Sequence, residues 1–368
     1  MPSSPANIQM LIIVIVHILL TSWLKPDASA QLKPISRGNV KVGQHLLSPI
    51  GFGTWSWGNR FLWNYNTDDD GELQRCFDAA NKAAAGRGGT QWWDTGDTYG
   101  TGKLKGRAET LLGQFGKSSV NSRSLFATKL APFPTRIGRD SMYSAALASS
   151  ERLGKSKIDI VQLHWPPYCI VPQLNEWYES EYLAAFERLV REGRATQIGV
   201  SNYGPRTLKR ASAVAQSLGI PIYSNQVQFS MLSRYPIENG LDEVCAGLGI
   251  QPIGYSPLAL GLLTDKYRQD KLPLGVRGLL FKEYLPRISG LLDVLRDIAT
   301  KRRKSMAQIV LNWNLQKGFL LLVGVRSVAQ VKENLGALGW SLTPGEVEEI
   351  DRAARRCPQL IQNSFQTD

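Results

Sequence analysis

At 368 residues, with 43% hydrophobic and 20% charged residues, the chain has the composition of a globular protein with a sizeable core, far from the low-hydrophobicity signature of disorder. The formal charge of +12 raises the question of nucleic acid, but the basic residues are scattered and no helix-turn-helix, zinc-finger or RNA-binding signature accompanies them, so no nucleic-acid partner is expected. Cys76, Cys169, Cys245 and Cys357 lie far apart without a CxxC pair, which reads as buried free thiols, and with only His17, His45 and His164 present a histidine metal cluster is excluded.

The chain opens on an apolar run at 10–20, MLIIVIVHILL, which is short for a bilayer span and right for a signal-peptide core. Ala28-Ser29-Ala30 then offers an A-x-A cleavage site, although the segment ahead of the run lacks Lys and Arg. Residues 28–67 carry no acid but include Lys33, Arg37, Lys41 and Arg60, a bias of organelle transit sequences. Residues 1–38 therefore read as a leader that is removed, resembling a bipartite plastid leader, with Gln31 in place of the aromatic usual after cleavage. A secretory signal, a retained membrane anchor, or chain ahead of the true start are the other readings, with the secretory pathway or the cytoplasm as the alternative locations; the mature form is expected to need no membrane.

Eight short apolar runs follow, at 49–53, 91–95, 125–129, 158–164, 197–202, 225–229, 252–256 and 320–325. Helical patterns at 72–85, 141–153, 182–191, 205–218 and 306–315 alternate with them, opened by Ser, Asp or Pro and closed by Gly. Alternation of strand and helix implies parallel strands, and runs such as IDIVQL and LLLVGV, apolar on both faces, imply a closed sheet. Eight such units make a (β/α)8 TIM barrel, one domain over residues 39–368. Residues 40–47 read as an N-terminal hairpin closing the barrel bottom, and the long loop after strand 7, residues 258–287, as a lid rich in Gly, Leu and Pro. Lys301-Arg302-Arg303-Lys304 reads as a solvated helix end. Gly51-Phe52-Gly53 lacks the third glycine and the following helix of a dinucleotide fingerprint. Trp55 and Trp57 after it, with Trp165 after the fourth strand, are expected to frame the pocket mouth.

Barrel active sites assemble at the C-terminal ends of strands, which makes polar residues there informative. Asp94 ends the second strand, Tyr99 follows on its loop in DTGDTYG, Lys129 ends the third in FATK, and His164 ends the fourth in VQLHW. Singly, these read as a loop cap, a packing aromatic, a snorkelling lysine and a satisfied strand-end histidine. Together they supply what carbonyl reduction needs, a proton donor beside an oxyanion-stabilising group. Tyr99 would be the acid, its phenol lowered by the adjacent Lys129 ammonium; Asp94 would hold Lys129, and His164 would hydrogen-bond the substrate oxygen.

On these residues the chain resembles the aldo-keto reductase family, with Asp94, Tyr99, Lys129 and His164 at the family's catalytic positions. The resemblance runs from about residue 39 onward and implies NADPH as cofactor and a small-molecule carbonyl as substrate. It implies that Ser201, Asn202 and Gln226 bind the nicotinamide carboxamide, that Tyr255 stacks on the ring, and that Ser256, Leu258 and Gly261 hold the pyrophosphate. In GVRSVAQVKENLGA it assigns Gly324, Arg326, Ser327, Gln330, Glu333 and Asn334 to the adenosine phosphate, with Arg326 and Ser327 at a helix start suited to a 2′-phosphate. Val323 stands where Pro is usual, which would alter a loop, and Gly96 where Ala is commoner, which would add backbone freedom near Tyr99. A narrower likeness, in GFGTWSWGN, TYGTGKLKG, KLPLGVRGLLF, ENLGALGWSLT and IQNSFQTD, is to the plastid pyridoxal reductases of plants. It implies reduction of pyridoxal to pyridoxine. A broad-specificity aldehyde or ketone reductase and an NADPH-sensing regulatory subunit resembling channel β-subunits are the alternatives.

Overall fold

The apolar runs fold as strands that close on themselves. The computed structural model describes residues 31–35, 38–118, 124–168, 173–359 and 366. The apolar run and A-x-A site of the expected leader, and Cys169, lie outside these residues. A hairpin, β1 (Val40–Val42) and β2 (His45–Leu47), precedes eight barrel strands: β3 (Ile50–Gly53), β4 (Trp92–Gly96), β5 (Leu125–Leu130), β6 (Ile158–Leu163), β7 (Ala195–Ser201), β8 (Ile222–Gln228), β9 (Gln251–Tyr255) and β10 (Leu320–Gly324). All eight pair in parallel and in sequence order, and β10 closes the barrel against β3 through Leu321↔Ile50 to Gly324↔Gly53. The TIM barrel is thus as the runs imply.

The helices are α1 (Arg60–Trp63), α2 (Asp70–Ala85), α3 (Arg107–Ser118), α4 (Gly138–Leu153), α5 (Gln173–Arg191), α6 (Pro205–Ser217), α7 (Tyr235–Glu238), α8 (Leu241–Leu248), α9 (Val276–Arg287), α10 (Ser289–Arg302), α11 (Met306–Gln316), α12 (Val328–Leu335) and α13 (Pro344–Arg355). They pack around the strands on a core that includes Phe77, Trp93, Phe115, Phe126, Phe186 and Trp313. Among the described residues no helix is long and apolar enough to cross a membrane.

Because successive side chains of a strand alternate between its faces, every second one enters the barrel. The lower interior is apolar, formed by Trp92, Ala127, Ile160, Ile253, Leu320 and Leu322, and the hairpin's Val42 and Leu47 plug it from below. Gln197 ties the hairpin down by accepting from Gln44 N at 3.0 Å. Trp92 spans the floor and donates to Ser48 O at 2.9 Å. It fits only because residue 51 is glycine: a Cβ there would lie 2.1 Å from the indole.

Two expectations need correction. The extra chain at 258–287 is not loop throughout: a 3-10 turn (Ala259–Gly261) and a twelve-residue helix, α9, make up much of it, and α9 runs into α10 through Ile288. Val323 lies inside β10, opposite Phe52, rather than in the loop beyond it.

Candidate active site

Moving up the barrel from the apolar floor, the inward positions turn polar. Two residues above Trp92 stands Asp94, above Ala127 stands Lys129, and above Ile160 stands Gln162. Lys129 Nζ forms a buried ion pair with Asp94 Oδ1 and donates to Thr95 O at 2.9 Å. Asp94 Oδ2 accepts from Gln162 Nε2 at 2.9 Å and from Gln226 Nε2 at 2.8 Å. Gln226 belongs to β8, four strands from β4, so this bond crosses the barrel interior. With Lys129 and Asp94 only 1% and 0% exposed, each charge depends on the other, and losing one partner of such a pair strands the remaining ion at a cost of about 3–5 kcal/mol.

Tyr99 is presented by the turn after β4, where Tyr99 N donates to Gly96 O at 3.0 Å and Gly106 N to Tyr99 O at 2.9 Å. Lys129 Nζ lies 5.1 Å from the centre of its ring, and the His164 ring meets it edge-on with centroids 5.9 Å apart. The structure therefore brings Asp94, Tyr99, Lys129 and His164 together. Gly96 matters through space and not through backbone freedom: its φ is not left-handed, but a Cβ would lie 3.3 Å from the Tyr99 ring.

The protonation pattern departs from the expected one. Burial, and then the carboxylates Asp94 and Asp97, push the Tyr99 phenol well above its ordinary value, whereas the sequence led us to expect Lys129 to lower it. Burial also pulls Lys129 below the usual ammonium range, against the attraction of Asp94. His164 is held well below the ordinary imidazole value by burial and by Lys129, and is neutral; its Nδ1 is buried with no hydrogen-bond partner among the described residues.

Residues 49–355 match the Aldo/keto reductase family. The chain is an aldo-keto reductase, and so an oxidoreductase. It is 42% identical over 334 residues to "Pyridoxal reductase, chloroplastic" of Arabidopsis thaliana, covering 89% of both chains. An uncharacterized oxidoreductase of Mycobacterium bovis is 33% identical, covering 89% of this chain and 95% of its own. Among solved structures, an aldo/keto reductase from Klebsiella pneumoniae in complex with NADP and acetate aligns with a TM-score of 0.66 at 25% identity, covering 89% of this chain and 98% of that one.

Around the central four, the aldo-keto reductase gathers several other residues singled out in its sequence. Asn202, with a left-handed φ of 63°, donates to His164 O at 2.9 Å and accepts from Tyr255 Oη at 2.9 Å. Ser201 Oγ donates to Gln226 O at 2.8 Å. Ser256, Ala259 and Leu260 also take positive φ, so the loop carrying Ser256, Leu258 and Gly261 is held in backbone that non-glycine residues rarely adopt. Beyond β10, Gly324 is exposed, Ser327 caps α12 through Gln330 N, and Gln330 Oε1 accepts from Arg326 N at 2.7 Å. Asn334 is buried in α12 and Glu333 is exposed there. The side chain of Gln226 points to Asp94, and that of Arg326 pairs with Asp69 at 2.9 Å and donates to Trp63 O at 2.6 Å.

The three tryptophans divide. Trp55 is 38% exposed and edge-on to Trp63, and Trp165 is half-buried against His164 and Phe133. Trp57 is a core residue and not part of the mouth: it is fully buried against Trp93 and Phe115 and donates to Val325 O at 3.1 Å. Several residues near the centre escaped the sequence reading. Gln162 had a signal, a polar residue at the inward position two before His164. Asp97, buried and paired with Arg136 at 2.5 Å, had only its place in DTGDTYG. Gln366 had its place in IQNSFQTD, which points to a subfamily and not to a contact; it pairs with the backbone of Gln228 at the end of β8, accepting at 2.6 Å and donating at 3.2 Å.

Proposed function

We propose that this aldo-keto reductase uses NADPH to reduce an aldehyde to an alcohol, and that its substrate is pyridoxal, reduced to pyridoxine. The observation that carries the chemistry is the buried Asp94–Lys129 pair set against the rings of Tyr99 and His164. Support for the substrate is the likeness to the Arabidopsis pyridoxal reductase over 89% of both chains.

The donor set suits a nicotinamide dinucleotide phosphate. Ser201 and Asn202 offer a hydroxyl and an amide for the carboxamide, Tyr255 a half-buried ring for stacking, the strained loop of Ser256, Leu258 and Gly261 its backbone, and the segment from Gly324 through Arg326, Ser327, Gln330, Glu333 and Asn334 the adenosine phosphate contacts. When bound, the cofactor supplies hydride to the carbonyl carbon.

Tyr99 gives its phenolic proton to the carbonyl oxygen as charge builds there. His164, being neutral, donates a hydrogen bond to the same oxygen without carrying a charge of its own that would need solvation. Lys129, fixed by Asp94, stabilises the phenolate left on Tyr99 once the proton has gone. Gln162 and Gln226 keep Asp94 aimed at Lys129 by occupying its second oxygen. A flat pyridine ring suits a mouth bordered by the half-exposed rings of Trp55 and Trp165.

The residues ahead of position 39 are proposed to be a leader and the mature enzyme to work in a plastid, on the acid-poor composition of 28–67 and the chloroplastic relative.

A substrate panel tests the function. With NADPH at one pH, kcat/KM for pyridoxal is expected to exceed that for a short aliphatic aldehyde by roughly tenfold, the upper end of what one well-packed ring contact contributes. Equal values for the two would leave a broad-specificity aldehyde reductase, and NADPH binding without turnover of any carbonyl would leave a sensing subunit.

A further inference from the structure

The place expected to receive the 2′-phosphate is already satisfied from within the chain. Its two attractive elements are the Arg326 guanidinium and the start of α12, whose first N–H groups and helix dipole favour an anion. Both are engaged by acids from the start of α2, more than 250 residues earlier. Asp69 pairs with Arg326 Nη2 at 2.9 Å, and Glu72 Oε1 accepts from Val328 N, the first amide of α12, at 2.9 Å. That bond, and Arg75 beside it, hold the Glu72 carboxyl below its ordinary range, so it is charged there at neutral pH. Arg326 also donates to Trp63 O, and the Asp69–Arg326 pair is half-buried, with the two side chains 38% and 34% exposed.

We infer that Asp69 and Glu72 are specificity-determining residues that occupy the 2′-phosphate position and that NADPH must displace. The inference rests on the NADPH reading above and deepens it. A phosphate carries about −1.5 to −2 charges at neutral pH, so it meets two carboxylates where a bare Arg326 and helix start would have met it with positive charge only. Displacing them sets the preference for NADPH over NADH below what Arg326 alone would give. NADH, having no 2′-phosphate, leaves the two acids in place.

The test is fluorescence titration of the full-length protein, through its ten tryptophans, with NADPH, NADH and 2′,5′-ADP. Asp69→Asn is expected to tighten NADPH and 2′,5′-ADP about two- to fivefold, the upper part of the range for one screened, partly exposed charge pair, and to leave NADH unchanged. Glu72→Gln keeps a neutral acceptor for Val328 N and is expected to act in the same direction, more weakly because Arg75 shares that carboxylate. Unchanged or weakened NADPH binding in Asp69→Asn would overturn the inference, because Asp69 would then be indifferent to the phosphate or would serve to orient Arg326. Arg326→Ala separates this from the cofactor reading. If it weakens NADPH and 2′,5′-ADP but not NADH, the reading stands whatever the Asp69 variant does; if it weakens all alike or none, the 2′-phosphate assignment falls and takes the inference with it.

Discussion

Tyr99 keeps its proton because burial, and then the carboxylates Asp94 and Asp97, disfavour the phenolate. The pH consequence follows from two directions. The phenol is raised above its ordinary 10.0, so the acid needed for reduction is in place below that value. The imidazole is lowered below its ordinary 6.5, so His164 is neutral above that value. Neither group titrates between, whereas Lys129 is lowered from its ordinary 10.5; kcat/KM for reduction of a non-ionising aldehyde such as 4-nitrobenzaldehyde, which reports the free enzyme, is expected to show no acidic limb down to pH 6.5 and to fall on the alkaline side as Lys129 loses its proton. An alkaline limb that persists in Lys129→Met would show instead that the phenol titrates there. The four central residues were legible in the sequence because barrel active sites assemble at the C-terminal ends of strands, and three neighbouring strands and their loops present these four together there. The Asp69–Arg326 and Glu72–Val328 contacts were not legible, since they join residues more than 250 positions apart and nothing local marks them. Trp57 was misplaced for a related reason: the spacing Trp55-Ser56-Trp57 shows that both rings leave one short loop, but not that the second turns inward to fill the gap between Trp93 and Phe115.

The barrel strands were readable because burial on both faces forces continuous apolar runs, and each expected run overlaps an observed strand with ends a few residues apart. Helix α9 was not readable. Its sequence, VRGLLFKEYLPR, contains Gly278 and Pro286 and follows Gly275 with φ 71°, all of which argue against a helix from local preference. Tertiary contacts override that preference: Phe281 is fully buried in the core, and Arg277 donates to Leu260 O at 2.9 Å while its guanidinium stacks 4.7 Å from the Trp63 ring. The same contacts join the segment after β9 to the loop after β3, so the two elements that border the mouth hold each other. Gly51 is the converse case, a glycine explained by packing and not by a turn, and only the position of Trp92 on the barrel floor shows why it is there.

For the whole molecule, the charge of +12 sits on a protein whose family substrates are small carbonyl compounds, so it is better understood as a surface field that draws in an anionic dinucleotide than as a nucleic-acid footprint. The leader proposal makes its own demand: N-terminal sequencing of the native protein is expected to begin after Ala30, and a fluorescent fusion to reach a plastid. Retention of residues ahead of Ala30, or a fusion confined to the secretory path, would contradict it. The reductase reading itself comes down to whether Tyr99 passes its proton to a substrate oxygen. The most direct measurement is NADPH oxidation with pyridoxal, followed together with pyridoxine formation, in the wild-type enzyme and in Tyr99→Phe. The wild type is expected to form one pyridoxine per NADPH consumed, and the variant, which keeps the ring but not the proton, to bind NADPH normally and turn over about 10² to 10⁴-fold more slowly. No pyridoxine from the wild type, or near wild-type kcat from Tyr99→Phe, would contradict the account.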